Sequence, residues 1–281
     1  MNVVIVGASG VTGIAVQKEL AAHGHHLRCV DVQPPQYEMS EMLELLGYDP
    51  EPATAEWLYR DILEPGAAEE ATRDMDACVY VALAFPATTG AKMDAAESTI
   101  QFRVNVTAPF LLMECGTHGK LRKFVYASTV SINPGMGKPV SEQDPPQLPW
   151  NSYTLSKWLA EEMLRQYSLQ REISVFCLRL GTVHPHIRFP RWWKGYEQYF
   201  VDVRDVARAF RLAVEDSRTR FDVLHVVSMG EPLRCRPDRA RQVLGFEAQY
   251  NGPEHFEALR RRSADFIARH QGPANVSPRR G

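Results

Sequence analysis

The chain opens MNVVIVGASGVTGIAVQKELAAHGHHLRCVD, residues 1–31, and the order of these parts decides the fold. Val3, Val4, Ile5 and Val6 form an apolar run without polar alternation, as a strand covered on both faces requires. Glycines follow at positions 7, 10 and 13. An amphipathic stretch, Gly13–Ala22, then leads to a second apolar run, Leu27–Val30, which ends in Asp31. Strand, glycine turn, helix and strand make a βαβ unit. Gly7, Gly10 and Gly13, at GxxGxxG spacing, allow a tight turn, close approach of backbone to a pyrophosphate, and close packing of helix on strand. The helix that begins at this turn, with Val11 and Thr12 in its first residues, offers phosphates unpaired N–H groups and a positive dipole end. Asp31, about 20 residues further on, can accept both ribose hydroxyls and would repel a 2′-phosphate, which favours NAD over NADP. The plainer reading is a surface carboxylate that ends a strand. Asp61 and Ile62, in YRDIL, are candidates for the adenine end, with a helix cap as the other role open to Asp61.

The alternation continues outward. Strands are expected at Cys78–Ala82, Lys123–Ala127 and Ser174–Arg179, with helices at Ser98–Gly116 and Tyr153–Leu169. The expectation is an α/β fold: a Rossmann-like doubly wound parallel sheet with a small C-terminal substrate lobe. Residues 1–180 would form the NAD-binding domain, including a Tyr–Lys helix. Residues 181–270 would form a small substrate lobe that returns in part to the main domain, and 271–281 a polar, disordered tail. Gln33 to Trp57 reads as an insertion, a short helix between proline-rich turns. Phe85 to Asp94 reads as a loop facing substrate.

Composition narrows the classes. With 281 residues and 44% hydrophobic content, the chain can build a core without staples. A net charge of −2 supplies no global basic field for nucleic acid or an anionic membrane. The opening MNVVIVG predicts a strand at once and no leader, and no apolar run approaches the roughly 20 residues of a membrane span. Cys29, Cys78, Cys115, Cys177 and Cys235 are scattered and odd in number, as reduced core thiols of a cytoplasmic protein would be. Histidines group at His23, His25 and His26 and at His184 and His186, without HExxH spacing or companion carboxylates, so no metal site is expected.

The chemistry centres on Tyr153-Thr-Leu-Ser-Lys157. Residues i and i+4 share a helix face, and an ammonium beside a phenol favours the phenolate. A phenol near its ordinary value of about 10 is a poor base at neutral pH without such a partner. The spacing is also common in helices that do nothing of the kind. Ser128 and Thr129 end the FVYAST strand, where hydroxyls can meet a ligand. Asn105 sits in mid-helix, where the side chain can kink the ladder or hold a water.

Taken in order from Met1 to Ala213, these segments resemble the extended short-chain dehydrogenase/reductase family, also called the NAD-dependent epimerase/dehydratase family. GASGVTG resembles its phosphate loop, RDIL its adenine-site segment and VYVALA, with Ala82, Leu83 and Ala84, its fourth-strand segment beside the cofactor. NVTAPFLLMEC is similar to its Asn-bearing helix, YASTVSI to its Ser/Thr segment, YTLSK to its Tyr–Lys motif and LRLGTVHP to its following strand. YFVDVRDVARAF is similar to the helix that begins near its substrate lobe. The resemblance implies NAD as cofactor and Tyr153 as acid/base. It implies that Lys157 lowers the phenol's pKa and holds the nicotinamide ribose. Thr129 would bind the reacting oxygen, with Ser128 as a second candidate, and Asn105 would support a proton-relay water. A homodimer through the Ser98–Gly116 and Tyr153–Leu169 helices is implied as well. Ile132-Asn133-Pro134 departs from the family's usual VYG.

Substrate follows from what is missing. Val130 and Ser131 stand where family dehydratases carry acidic residues. Only about 20 residues separate Arg179 from Val201, too few for a large nucleotide lobe, and Gln198 stands at the expected diphosphate Arg. The sequence is similar to the compact uronate dehydrogenases, with Arg188 and Arg191 as candidates to grip a carboxylate. A surface Arg packed on Trp192 or Trp193 is the other reading. The expected function is NAD-dependent oxidation of a small sugar or sugar acid. Two alternatives stay open: a nucleotide-sugar epimerase, and a non-catalytic NAD-binding regulator or scaffold.

Overall fold

The computed structural model describes residues 1–35, 53–83, 95–134, 138–147, 151–184, 199–228 and 234–270. Seven parallel strands form one sheet: β1 (Asn2–Val6), β2 (His26–Asp31), β3 (Glu56–Tyr59), β4 (Ala77–Tyr80), β5 (Lys123–Thr129), β6 (Ser174–Leu180) and β9 (Phe221–Val226). Their order is β3-β2-β1-β4-β5-β6-β9, and it reverses direction between β1 and β4. β7 (Thr182–His184) and β8 (Phe200–Asp202) form a separate parallel pair.

Apolar strands buried on both faces require helices on both faces, and the core divides accordingly. On one face α1 (Val11–Ala22) and α6 (Val203–Glu215) pack together with α7 (Asp238–Leu244) and α8 (Pro253–His270), over Val3, Ile5, Val125 and Leu178. On the other lie α2 (Ala67–Thr72), α3 (Ala95–Phe102), α4 (Ala108–Thr117) and α5 (Ser152–Gln170), over Val4, Tyr80, Phe124 and Tyr126. Two carboxylates at the start of α6 fasten the first turn of α8 and the segment before it. Asp202 accepts from His255 at 2.9 Å, and Asp205 accepts the backbone N–H groups of Gln249 and Tyr250 at 2.9 and 3.0 Å.

The expected fold is present, with three differences. Glu56 and Trp57 belong to edge strand β3, not to an insertion. Its burial pattern is only partial, so the apolar signal that marks central strands is weak there. β9 closes the opposite edge and pairs with β6, a contact far from local in sequence. The helix expected at Ser98–Gly116 starts at Ala95 and is broken by a π-turn at Arg103–Thr107, which joins α3 to α4. The centre of the Gln33–Trp57 stretch, the Phe85–Asp94 loop and the 271–281 tail lie outside the described residues.

The turn after β1 is sterically committed. Gly7 has φ +87°, and a Cβ there would stand 2.4 Å from the Ala82 backbone nitrogen. Gly7→Ala would therefore combine left-handed strain with a backbone collision. Chemical denaturation should show it less stable by about 2–5 kcal/mol; an unchanged midpoint would mean that β1 and β4 do not meet this way.

Candidate active site

The strands' carboxyl ends and the reversal between β1 and β4 define the crevice where ligands of open α/β sheets bind. On its β1 side, Gly10 caps α1 without a side-chain hydrogen bond, and the first turn carries no acid. A Cβ on Gly13 would collide with the Gly7 carbonyl oxygen at 2.3 Å, so close helix packing requires that glycine. Gly10 differs: its φ is −78°, and an added Cβ would meet only the Gly7 oxygen at 3.7 Å. The protein alone has no need of glycine there, whereas a phosphate approaching the open helix end does. Val11 and Thr12 are partly buried in that first turn.

Asp31 ends β2 beside the turn. Its carboxylate accepts the N–H of Ser9 at 2.9 Å and that of Val32 at 2.8 Å, so it braces the glycine loop. Asp61 accepts the Leu63 N–H at 2.9 Å and stays partly buried. Ile62 is directed into the core cluster that holds Val30 and Tyr80, so its side chain has little left for an adenine. Ala82 is partly buried against Gly7, and Leu83 is exposed at the rim. Ala84, Arg188 and Arg191 lie outside the described residues.

Across the crevice, α5 starts because the Asn151 side chain accepts the Thr154 N–H at 2.8 Å. Tyr153 and Lys157 then fall one turn apart. The Thr129 hydroxyl is hydrogen-bonded to the Tyr153 phenol. Lys157 donates to the Ala127 carbonyl at 2.8 Å and stands over the Tyr126 ring, 4.6 Å from its centre. Burial pushes the Tyr153 phenol up to about 12, and the Thr129 hydroxyl pulls it back. Burial pushes the Lys157 amine down to about 7, opposed chiefly by Glu161. In the protein by itself the phenol thus keeps its proton at neutral pH, and the amine loses its proton more readily than an ordinary lysine.

Ser128 and Thr129 do not share a task. Adjacent strand residues face opposite sides of a sheet. Ser128 donates to Glu161 at 2.5 Å under α5, so its hydroxyl is occupied in the interior and Thr129 alone meets Tyr153. Asn105 lies fully buried in the π-turn. Its amide donates to the Ser156 hydroxyl at 3.0 Å, and that hydroxyl donates to the Tyr153 carbonyl at 2.8 Å. The Asn105 Oδ1 atom is buried and has no partner among the described residues. Two stacked tyrosines serve the carbonyls that the π-turn releases: Tyr126 donates to Asn105 at 2.9 Å and Tyr80 to Val104 at 2.5 Å. Sequence reasoning missed this pair, and it missed Glu161 and its ion pair with Arg179 at 2.8 Å. The available signal was the i+4 stripe Tyr153, Lys157, Glu161.

Among the described residues no group of three or more His, Cys, Asp or Glu side chains converges on a metal position. None of their helices is long and apolar enough to cross a membrane.

Comparison with known proteins agrees with the fold. The model of the NAD dependent epimerase/dehydratase family matches residues 3–186, and the chain belongs to that family, whose cofactor is NAD. It is 26% identical over 165 residues to the NAD-dependent glucose-6-phosphate dehydrogenase of Haloferax volcanii (54% of this chain, 62% of that protein). It is 27% identical over 188 residues to the D-erythronate dehydrogenase of Cupriavidus necator (65% of this chain, 55% of that protein). These matches span less than two thirds of either relative. Among solved structures, MoeE5 in complex with UDP-glucuronic acid and NAD superposes with a TM-score of 0.74 at 19% identity, covering 96% of this chain and 99% of that one. A mutated uronate dehydrogenase superposes with a TM-score of 0.71 at 18% identity, covering 95% and 93%.

The glycine turn and Asp31 fit NAD and make a paired prediction. Gly10→Ala should keep nearly wild-type thermal stability yet weaken NAD binding about tenfold or more, read by calorimetry. Asp31→Asn should narrow the preference for NAD over NADP. Tighter binding of NADP than of NAD by the unaltered protein would remove Asp31 from the ribose.

Proposed function

We propose that this protein is an NAD-dependent dehydrogenase that oxidises a carbinol of a small sugar or sugar acid, in the manner of the uronate dehydrogenases. The observation that carries the reading is the Thr129–Tyr153 hydrogen bond at the carboxyl end of β5, with Lys157 one helix turn away on the Ala127 carbonyl and an uncapped helix N-terminus across the crevice.

The turn at Gly7, Gly10 and Gly13, with Asp31 for the ribose, would hold NAD, which would supply the hydride acceptor when bound. Thr129 holds the substrate hydroxyl beside Tyr153. The Tyr153 phenolate takes the hydroxyl proton as general base. Burial holds that phenol's pKa high in the protein alone, so it needs a cation nearby; Lys157, one turn along the helix, would supply it, and the positive charge of bound NAD would add to it. Lys157 would hold the nicotinamide ribose, and the buried Asn105 Oδ1 would support a proton-relay water. A base with a raised pKa gives oxidation that rises with pH through the alkaline range, and reduction that falls there.

The short stretch between Arg179 and Val201 supports a small substrate, and Arg188 or Arg191 is proposed to hold its carboxylate. The likeness to D-erythronate dehydrogenase supports a sugar acid, while the likeness to MoeE5, solved with UDP-glucuronic acid, keeps a nucleotide sugar in contention as substrate. NADH formation should be followed with glucuronate, galacturonate, neutral hexoses, UDP-glucose and UDP-glucuronate. Turnover fastest on the uronates is expected, with Tyr153→Phe slower by roughly 10²–10⁴-fold while binding NAD normally. Faster turnover of a neutral hexose or nucleotide sugar would overturn the carboxylate reading, and NAD binding with no turnover of any sugar would favour a regulator or scaffold.

A homodimer is proposed through α4 and α5, where Phe110, Leu155 and Leu159 are exposed. This two-fold arrangement presents the same helices from both copies. Light scattering at micromolar concentration should give twice the chain mass, and a Phe110→Glu, Leu159→Glu variant should give one. The five free thiols, four of them buried, suit a cytoplasmic setting.

A further inference from the structure

Resting on the proposed reaction, we propose that Glu161 is a positioning residue of the site: its carboxylate fixes the end of β5 through Ser128, fixes β6 through Arg179, and stands as counter-charge to Lys157.

The geometry is specific. Tyr153, Lys157 and Glu161 form one stripe down α5, facing the sheet. Lys157 holds the Ala127 carbonyl at 2.8 Å, and one turn on Glu161 takes the next residue's hydroxyl, Ser128, at 2.5 Å. Thr129 comes next in the strand, so two consecutive grips from α5 determine where its hydroxyl meets the phenol. Ser128 is in register with Arg179 on β6, and Arg179 donates to both Glu161 oxygens, at 3.0 and 2.8 Å. The Arg179–Glu161 pair is about nineteen parts in twenty buried, at 6% and 5% side-chain exposure. Such a pair adds little net stability, because desolvation offsets attraction, yet it strongly resists loss of one partner. Its value here is orientation.

The charged and titratable groups around Lys157 give Glu161 a second effect. Beside Lys157 stand Tyr126 from β5, Cys177 from β6 and, on its own helix, Glu161. The remaining charged and titratable groups act one step further out: Tyr153 on Tyr126, Asp222 on Cys177, and Glu142 and His225 on Arg179. Burial keeps the thiol and phenol neutral, since Cys177 and Tyr126 are both raised well above their ordinary values. Arg179 shares Glu161, and Asp222 is bound by Arg239 at 2.6 Å. Glu161 is thereby the charge that most directly opposes the desolvation of the Lys157 amine.

The test needs no substrate. The [13Cε]lysine-labelled protein is titrated by NMR, with the Lys157 signal assigned by its loss in Lys157→Met. Glu161→Gln should lower the Lys157 midpoint by about one pH unit or more, whereas Glu161→Asp restores it in part. If unpaired Arg179 prevents folding, Glu161→Gln combined with Arg179→Met removes both charges and should still lower the midpoint. On the best substrate, these variants should lose kcat about 10-fold or more with little change in the KM for NAD, and the acid limb of kcat/KM should move to higher pH. A Lys157 midpoint within about 0.3 unit of wild type in both variants, with only thermal stability reduced, would make Glu161 a structural ion-pair partner and overturn the proposal. A wild type without turnover on any sugar would instead overturn the proposed reaction, and the lysine titration would still decide the role of Glu161.

Discussion

Lys157 holds its amine against the Ala127 carbonyl and the face of Tyr126, with 2% of the residue exposed. An amine in so dry a place must either lose its proton or be supplied with compensating groups, and the surrounding architecture follows from that choice. The strand must end with a free carbonyl within reach. A flat aromatic face must lie beside it. A carboxylate must sit one turn further along the helix, and that carboxylate in turn needs Arg179 and Ser128 to satisfy it. The parallel sheet meets these demands together, because in-register strands bring Ser128 and Arg179 side by side under α5.

The two sides of the crevice divide the work by rigidity. The β1 side is built of backbone: a glycine at φ +87°, a second glycine pressed on its carbonyl, and Asp31 bonded to two N–H groups. Such a site recognises what every dinucleotide shares and leaves little room to vary. The β5 side is built of side chains, and those that contact substrate can change with the loops above them.

Some of this was legible in the chain. The glycine turn, Asp31 and the Tyr–Lys spacing are local patterns, and each needs only one element to form. Strand parity was also available: Ser128 and Thr129 are neighbours, so only one could face the crevice, yet alternation alone does not say which. What could not be read depends on contacts between distant segments. Edge strands β3 and β9 join the sheet through partners far away or through a weak, half-buried pattern. Glu161 looks like any helix-surface acid until Arg179 and Ser128 are brought to it from two other strands. The π-turn is invisible because a sequence records which residues follow one another, not which hydrogen bonds they skip.

That π-turn has a consequence for how the chain varies. Five residues, Arg103–Thr107, take a wider turn than the helices on either side, equivalent to one residue more than an α-helix would hold. α3 and α4 are therefore out of phase by about 100° with the single helix their sequence describes. Removing one residue from this stretch would straighten the rod, carry the Asn105 amide away from Ser156, and strand the hydroxyls of Tyr80 and Tyr126 without acceptors. The neighbours hold this extra residue in place: the length of the chain here is as much a part of the site as the identity of any side chain in it.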